Sequence, residues 1–124
     1  MVLLFLLNGC FFDPDGYQKK INNYFFLYSE NGDAYNICLG SIEYGQYRLS
    51  DNYICTIKKI GWDKSFLIVE TGNHKYFIQE LSNLRGKNLE VFRKYLHGPL
   101  PIDQYQHIRD SLHVAKNLGF TLTF

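Results

Sequence analysis

The sequence predicts an α+β protein, in which a small antiparallel β-meander sheet is covered by one or two C-terminal helices. Aromatic residues make up 17% of the 124 residues, with ten Tyr and ten Phe, and such residues favour strands. Between residues 22 and 81, short aromatic and β-branched runs alternate with turn residues, whereas helical spacing begins at Leu89. The length allows one domain, which is predicted to span residues 21–124.

The first predicted strands are residues 24–28 and 34–39, separated by Asn31-Gly32, a hairpin signal. Residues 47–49 fit either an edge strand or a loop. The meander itself is predicted from residues 53–60, 66–71 and 75–81. Because the run Phe-Leu-Ile-Val at 66–69 lacks polar alternation, its strand should be covered on both faces and lie centrally in the sheet.

Two helices are predicted after the meander. The first spans residues 88–96 and ends at Gly98-Pro99, and the second begins after Pro101. Residues 119–124 alternate apolar side chains with Thr and predict a terminal strand that returns to the sheet. The apolar positions expected to face the sheet recur at spacings of three and four: Leu89, Phe92, Ile102, Tyr105, Ile108 and Leu112.

The N-terminal residues 1–7 form an uncharged apolar run, which is shorter than the roughly 20 residues that a transmembrane helix needs. Its length suits the apolar region of a signal peptide. The next residues complete Leu7-Asn8-Gly9-Cys10, which resembles the lipobox of bacterial lipoproteins. The resemblance implies that residues 1–9 are removed, that Cys10 is acylated, and that residues 10–20 form a tether.

The N-terminus also departs from the lipoprotein pattern, since no Lys or Arg follows Met1, and this leaves open a start upstream of Met1. An alternative interpretation is that the apolar run is a strand, with Gly9 in a turn and Cys10 as a small buried side chain. The chain would then be a cytosolic interaction domain.

Several segments carry a wider resemblance. The lipobox is followed by Ile-Gly-Trp-Asp-Lys-Ser-Phe-Leu-Ile at 60–68, Tyr-Phe-Ile at 76–78, and Gly-Pro-Leu at 98–100 leading to Tyr105, Arg109 and Leu112. This order resembles an uncharacterised family of small bacterial lipoproteins with a domain of unknown function, over residues 20–113. The resemblance implies a cell-envelope location, with a lipid anchor on the periplasmic or outer face, and it brings no catalytic residues.

The four histidines are the first candidates for chemistry, because the pKa of His lies nearest to neutral pH. His107, Asp110 and His113 are spaced by three and therefore diverge around a helix, and no pair of His has the i, i+4 spacing of a helical zinc site. Nucleophile and phosphate-loop motifs are missing from the sequence. We therefore expect no catalytic residue, metal or cofactor, the alternative being a small envelope hydrolase that uses His74 or His97 with a nearby acid.

Cys38 and Cys55 remain if Cys10 is acylated, and both fall on predicted strands. Two interpretations stay open: a disulfide, which would stabilise by about 3 kcal/mol if it closed a loop of about 18 residues, or two buried free thiols.

Thirteen basic and twelve acidic residues give a net charge of +1, which excludes the overall basic field of an electrostatic nucleic-acid binder. We therefore expect no nucleic-acid partner. The expected partners are a membrane, which the protein contacts through the lipid on Cys10, and an envelope protein, peptide or glycan. The protein is predicted to be a binding or structural module. Two roles stay open for Tyr24, Tyr28, Tyr44, Tyr47 and Tyr53: aromatic platforms for a partner, or the commoner role of covering a sheet face with the hydroxyl at the rim.

Overall fold

The computed structural model describes residues 18–29, 36–49, 53–84 and 88–124. The predicted signal peptide, the predicted acylation site Cys10 and the predicted turn at Asn31-Gly32 lie outside the described residues. The chain divides into two compact units, one up to Thr56 and one from Ile57 onward. Each unit is described by itself.

The α+β prediction is confirmed, since antiparallel strands and two helices make up the described residues. The prediction of one small sheet is wrong, because the strands form two five-stranded sheets. Within residues 53–60, predicted as one strand, pairing changes at Thr56: the strand before it joins the first sheet, and the strand after it joins the second. Which strands pair is a non-local property that hydrophobic periodicity does not specify.

The strands of the first unit are β1 (Gln18–Lys20), β2 (Phe25–Ser29), β3 (Ile37–Glu43), β4 (Gln46–Arg48) and β5 (Ile54–Cys55). They form a sheet in the order β1-β2-β3-β4, with β5 also paired to β3. Of residues 47–49, for which the sequence left a strand and a loop open, Tyr47 and Arg48 belong to β4 and Leu49 follows it. The core cluster of this unit lies on one sheet face and comprises Phe26, Tyr28, Cys38 and Ile42.

The strands of the second unit are β6 (Ile57–Trp62), β7 (Phe66–Thr71), β8 (Tyr76–Glu80), β9 (Leu96–Leu100) and β10 (Leu122–Thr123). They form a sheet in the order β10-β6-β7-β8-β9. Its central strand is β7, and Leu67, Ile68 and Val69 are fully buried, as the unbroken apolar run at 66–69 predicts.

The first helix, α1 (Leu89–Lys94), is shorter than the predicted helix at 88–96. Asn88 begins it as the N-cap, with its side-chain oxygen accepting a hydrogen bond from the Val91 backbone N–H at 3.0 Å. The assignment of Leu96 to this helix is wrong, because Leu96 starts β9 and lies opposite Gln79 of β8. Residues that precede a proline favour extended backbone, and Pro99 lies within this strand.

The second helix, α2 (Ile102–Ser111), packs against β8 and β9. Tyr105 is buried with Ile68 and Ile78, and Ile108 and Leu112 pack against the same cluster. The prediction that Ile102 faces the sheet is wrong, since it is 48% exposed. At 100° per residue, Tyr105, Ile108 and Leu112 lie within about 60° of one another, whereas Ile102 lies roughly 60–120° away from them.

Candidate binding surface

The exposed large hydrophobic side chains are concentrated in one place. Among the described residues four are exposed, and three of them, Tyr44 (71%), Tyr47 (41%) and Leu49 (51%), lie within six positions at the β3–β4 hairpin. We call these three side chains the aromatic hairpin. Single exposed hydrophobic residues are common on protein surfaces, but a cluster of them is typical of an interaction site.

Tyr44 occupies a turn that disfavours it. Glu43 pairs with Gln46, so Tyr44 and Gly45 form a two-residue loop, and both have positive φ angles, 53° and 79°. Positive φ at both positions defines a type I′ turn, for which Asn-Gly is the preferred pair. Left-handed backbone costs an ordinary residue about 1–2 kcal/mol, and the exposed Tyr44 ring gains little packing in return. A strained and exposed aromatic residue points to a role outside folding.

Buried neighbours hold the other two members of the aromatic hairpin. The Tyr47 ring packs on the fully buried Phe26 ring, with centroids 4.6 Å apart. The Tyr28 hydroxyl donates a hydrogen bond to the Leu49 backbone oxygen at 2.8 Å. The Tyr47 ring and the Leu49 backbone are therefore supported by the sheet, so less conformational entropy would be lost at these two residues when a partner binds.

The tyrosines predicted as aromatic platforms divide into two groups. Tyr44 and Tyr47 are exposed, whereas Tyr28 and Tyr53 are buried and have the alternative role of covering the sheet. Tyr28 belongs to the core cluster and Tyr53 stacks on Phe25, with ring centroids 5.5 Å apart. Tyr24 is half-buried.

The polar residues of the β3–β4 hairpin lie mostly on the other sheet face. Tyr47 lies opposite Ile42, so its neighbour Arg48 points away from it, on the face that also carries Glu43. The Arg48 Nε atom is 3.4 Å from Glu43 Oε2. The described part of the first unit holds three basic residues, Lys19, Lys20 and Arg48, and one acidic residue, Glu43.

The first unit also contains a disulfide between Cys38 and Cys55, with an S–S distance of 2.01 Å. The two residues are direct cross-strand partners of β3 and β5, with Cα atoms 4.5 Å apart. The disulfide therefore joins the short β5 covalently to the middle of the sheet.

Two histidines in the second unit, the two named in the hydrolase alternative, lie beside carboxylates that the sequence analysis did not identify. His97 Nε2 donates to Glu80 Oε2 at 2.6 Å, and His74 Nδ1 lies 3.4 Å from Glu70 Oε2. A carboxylate that accepts from one ring nitrogen orients the imidazole and leaves the other nitrogen to accept a proton. The His97–Glu80 pair therefore has the elements of a general base. His107, Asp110 and His113 are exposed.

A shallow depression of about 530 Å³ lies beside α2 in the second unit. Arg109 lines it and makes three hydrogen bonds: Nη2 donates to the backbone oxygens of Ala115 and Leu118, and Nη1 donates to the Tyr105 hydroxyl at 3.1 Å. These bonds attach the segment after α2 to the helix, so we assign Arg109 a structural role. The depression is lined by Tyr105, Gln106, Arg109, Asp110, Lys116 and Leu118.

Comparison of the chain with protein-family models, with curated proteins and with solved structures found no match. In the part of the chain that the structure describes, no helix is both long and apolar enough to cross a bilayer. The same residues contain no group of three or more His, Cys, Asp or Glu side chains placed to hold a metal ion.

The strain at Tyr44 leads to a first prediction. Replacing Tyr44 by Asn creates the preferred type I′ pair with Gly45, so the free energy of unfolding should rise by about 0.5–1 kcal/mol. Urea denaturation of the two proteins measures this. A loss of stability after the replacement would contradict the turn geometry described here.

A second prediction concerns the buried tyrosine of α2. Burial raises the pKa of the Tyr105 hydroxyl, and the neighbouring Arg109 opposes this effect. Burial also raises the pKa of Tyr76, and the charge of Glu70 adds to the increase. The Tyr76 and Tyr105 rings stack with their centroids 4.6 Å apart. A raised pKa means that the folded state favours the protonated hydroxyl. The resulting contribution to the free energy of unfolding is complete below about pH 10, the pKa of Tyr in the unfolded chain, and is lost as the pH rises through the higher pKa of the folded state.

The free energy of unfolding should therefore decline above about pH 10, and decline less steeply in Tyr105→Phe, which has no hydroxyl to ionise at this position. Denaturation curves recorded across the alkaline range measure both slopes. Identical slopes for the parent and the variant would contradict the prediction.

Proposed function

We propose that the protein is a lipid-anchored bacterial cell-envelope protein, related to the uncharacterised family of small lipoproteins, that acts as a binding module through its aromatic hairpin. The observation that carries the proposal is the sequence Leu7-Asn8-Gly9-Cys10 after an apolar run too short to span a membrane. Under this proposal the lipid on Cys10 attaches the protein to the membrane.

Two features of the first unit support the proposal. A disulfide between Cys38 and Cys55 suits an oxidising compartment outside the cytoplasm, where such bonds persist. The aromatic hairpin presents two tyrosines and a leucine to solvent close together in the chain, an arrangement typical of a binding surface.

Intact mass spectrometry of the protein from its native host tests the anchor. We expect a chain that begins at a diacylglyceryl-modified Cys10 and sediments with membranes, and a Cys10→Ser variant that gains no lipid. A parent chain that carries residues 1–9 and no lipid would overturn the proposal in favour of the cytosolic interaction domain.

A second candidate function is hydrolysis, which the 2.6 Å contact between His97 and Glu80 favours. The test is hydrolysis of a panel of ester and amide substrates by the purified protein. If the pair is catalytic, activity should be lost in His97→Gln and retained in His113→Gln, which alters an exposed histidine.

A further inference from the structure

We propose that the depression beside α2 binds a small organic anion through a single carboxylate group. This inference goes beyond the proposed function, since it concerns the second unit and depends neither on the lipid anchor nor on the aromatic hairpin. The depression has a volume of about 530 Å³, which lies within the usual range for small-molecule pockets. Its lining residues come from α2 and from the segment that follows α2.

The positive charge of Arg109 has no anionic partner among the described residues. Its three hydrogen bonds all go to neutral oxygens, two backbone carbonyls and the Tyr105 hydroxyl. No described carboxylate lies within ion-pair distance of the guanidinium, although Asp110 is the next residue in the chain. A guanidinium has five N–H groups, so two remain to donate to a ligand. A half-buried guanidinium that bonds only to neutral groups favours an anion beside it.

The residues around Arg109 supply further hydrogen-bond donors. Tyr105 is only 5% exposed, and its hydroxyl oxygen accepts from Arg109, but no described group accepts the hydroxyl proton. A carboxylate oxygen only accepts hydrogen bonds and would therefore bind this proton. Lys116 and Gln106 also line the depression, and both are exposed, so their N–H groups are accessible to the same ligand.

The charges of the lining residues favour a monoanion over a dianion. Arg109 and Lys116 contribute two positive charges and Asp110 contributes one negative charge, so the lining has a net charge of +1, which one carboxylate neutralises. A phosphate dianion would exceed this charge and would be repelled by Asp110. Residues 57–124 as a whole carry ten basic and six acidic side chains, so the undescribed residues of this unit do not reverse the preference for an anion. Leu118 supplies apolar surface for the rest of the ligand.

NMR titration of the isotope-labelled full chain with sodium butyrate tests the site. We expect saturable changes in the amide chemical shifts of Tyr105, Gln106 and Lys116, and no such changes with butyramide, which has a similar shape but no charge. Inorganic phosphate in mildly alkaline buffer should bind more weakly than butyrate. N-acetylglycine presents its carboxylate as the end of a peptide does, so the tighter of these two carboxylates identifies whether the ligand is a free acid or a peptide terminus.

Two variants test the assigned donors. Tyr105→Phe should weaken butyrate binding by roughly tenfold, because it removes a hydrogen bond to a charged group and keeps the ring that stacks on Tyr76. Lys116→Gln should weaken binding by about threefold, since the lysine is exposed. The matched control is Lys64→Gln, which removes an exposed lysine between β6 and β7 and should leave binding unchanged.

Three results would each overturn the inference. The first is a failure of butyrate to bind saturably, or equal shifts with butyramide. The second is tighter binding of phosphate than of butyrate. The third is undiminished binding of butyrate in both Tyr105→Phe and Lys116→Gln.

Discussion

Replacement of Phe92 by Ala is expected to lower the free energy of unfolding by about 3–5 kcal/mol. Phe92 is the fully buried residue of α1, a helix of six residues that is too short to be stable by itself. Its backbone oxygen accepts a hydrogen bond from Nε2 of the fully buried Gln79 at 3.0 Å. Loss of the ring would therefore remove the main apolar contact of α1 with the core. It would also weaken the hydrogen bond that the buried Gln79 side-chain amide donates to this helix.

Equilibrium denaturation in urea measures this effect, and Val91→Ala is the control. Val91 is adjacent and half-buried, so its replacement removes a smaller side chain from a partly exposed site and should lower stability by less than about 1.5 kcal/mol. Equal losses in the two variants would show that Phe92 does not anchor the helix.

The sequence predicts best the features that depend on local composition. The unbroken run at 66–69 predicts the central strand β7, because a strand without polar positions needs cover on both faces. Phe92 and Tyr105 are correctly predicted to be buried, since helical spacing places them on apolar stripes. Ile102 breaks this rule because it lies at the edge of its stripe, beyond the arc that α2 buries.

The features that depend on pairing between distant segments are not predicted. Leu96 fits a helical stripe, but β9 pairs with β8 and takes Leu96 into the sheet. The same pairing places His97 opposite Ile78, two positions from Glu80, and so brings its imidazole to the carboxylate. Because β9 was not predicted, the sequence analysis could not identify Glu80 as the acid beside His97.

The candidate binding surface was predicted in part, from the abundance of tyrosine. Tyr44 and Tyr47 were among the residues named, but Leu49 was missed, since nothing in its local sequence distinguishes an exposed leucine from a core residue. The turn at Tyr44-Gly45 was also missed, because Tyr seldom adopts positive φ and gives no turn signal. The positive φ of Tyr44, which identifies the candidate surface in the structure, is therefore also the reason that the turn was not predicted from the sequence.

Replacement of Gly61 by Ala is expected to destabilise the second unit by more than about 3 kcal/mol, beyond the usual range for overpacking. A Cβ atom at Gly61 in β6 would lie 2.0 Å from the Gly119 backbone oxygen and 3.1 Å from the Phe120 Cα. These are backbone atoms, which cannot rotate away as a flexible side chain can. The backbone of residues 119–120 must therefore move away from β6. This movement would disturb the adjoining contact between β6 and the start of β10, where the Thr121 N–H donates to the Ile60 oxygen at 2.9 Å.

Gly72→Ala is the matched control for this prediction. Gly72 lies in the exposed β7–β8 turn, and a Cβ there would meet no atom within 4 Å, so its replacement should change stability by less than about 0.5 kcal/mol. Urea denaturation compares the two variants, and hydrogen exchange at the Thr121 and Phe124 amides, both of which bond to β6, reports detachment of β10. If Gly61→Ala retained full stability and slow exchange at both amides, the close approach of residues 119–120 to β6 would be refuted.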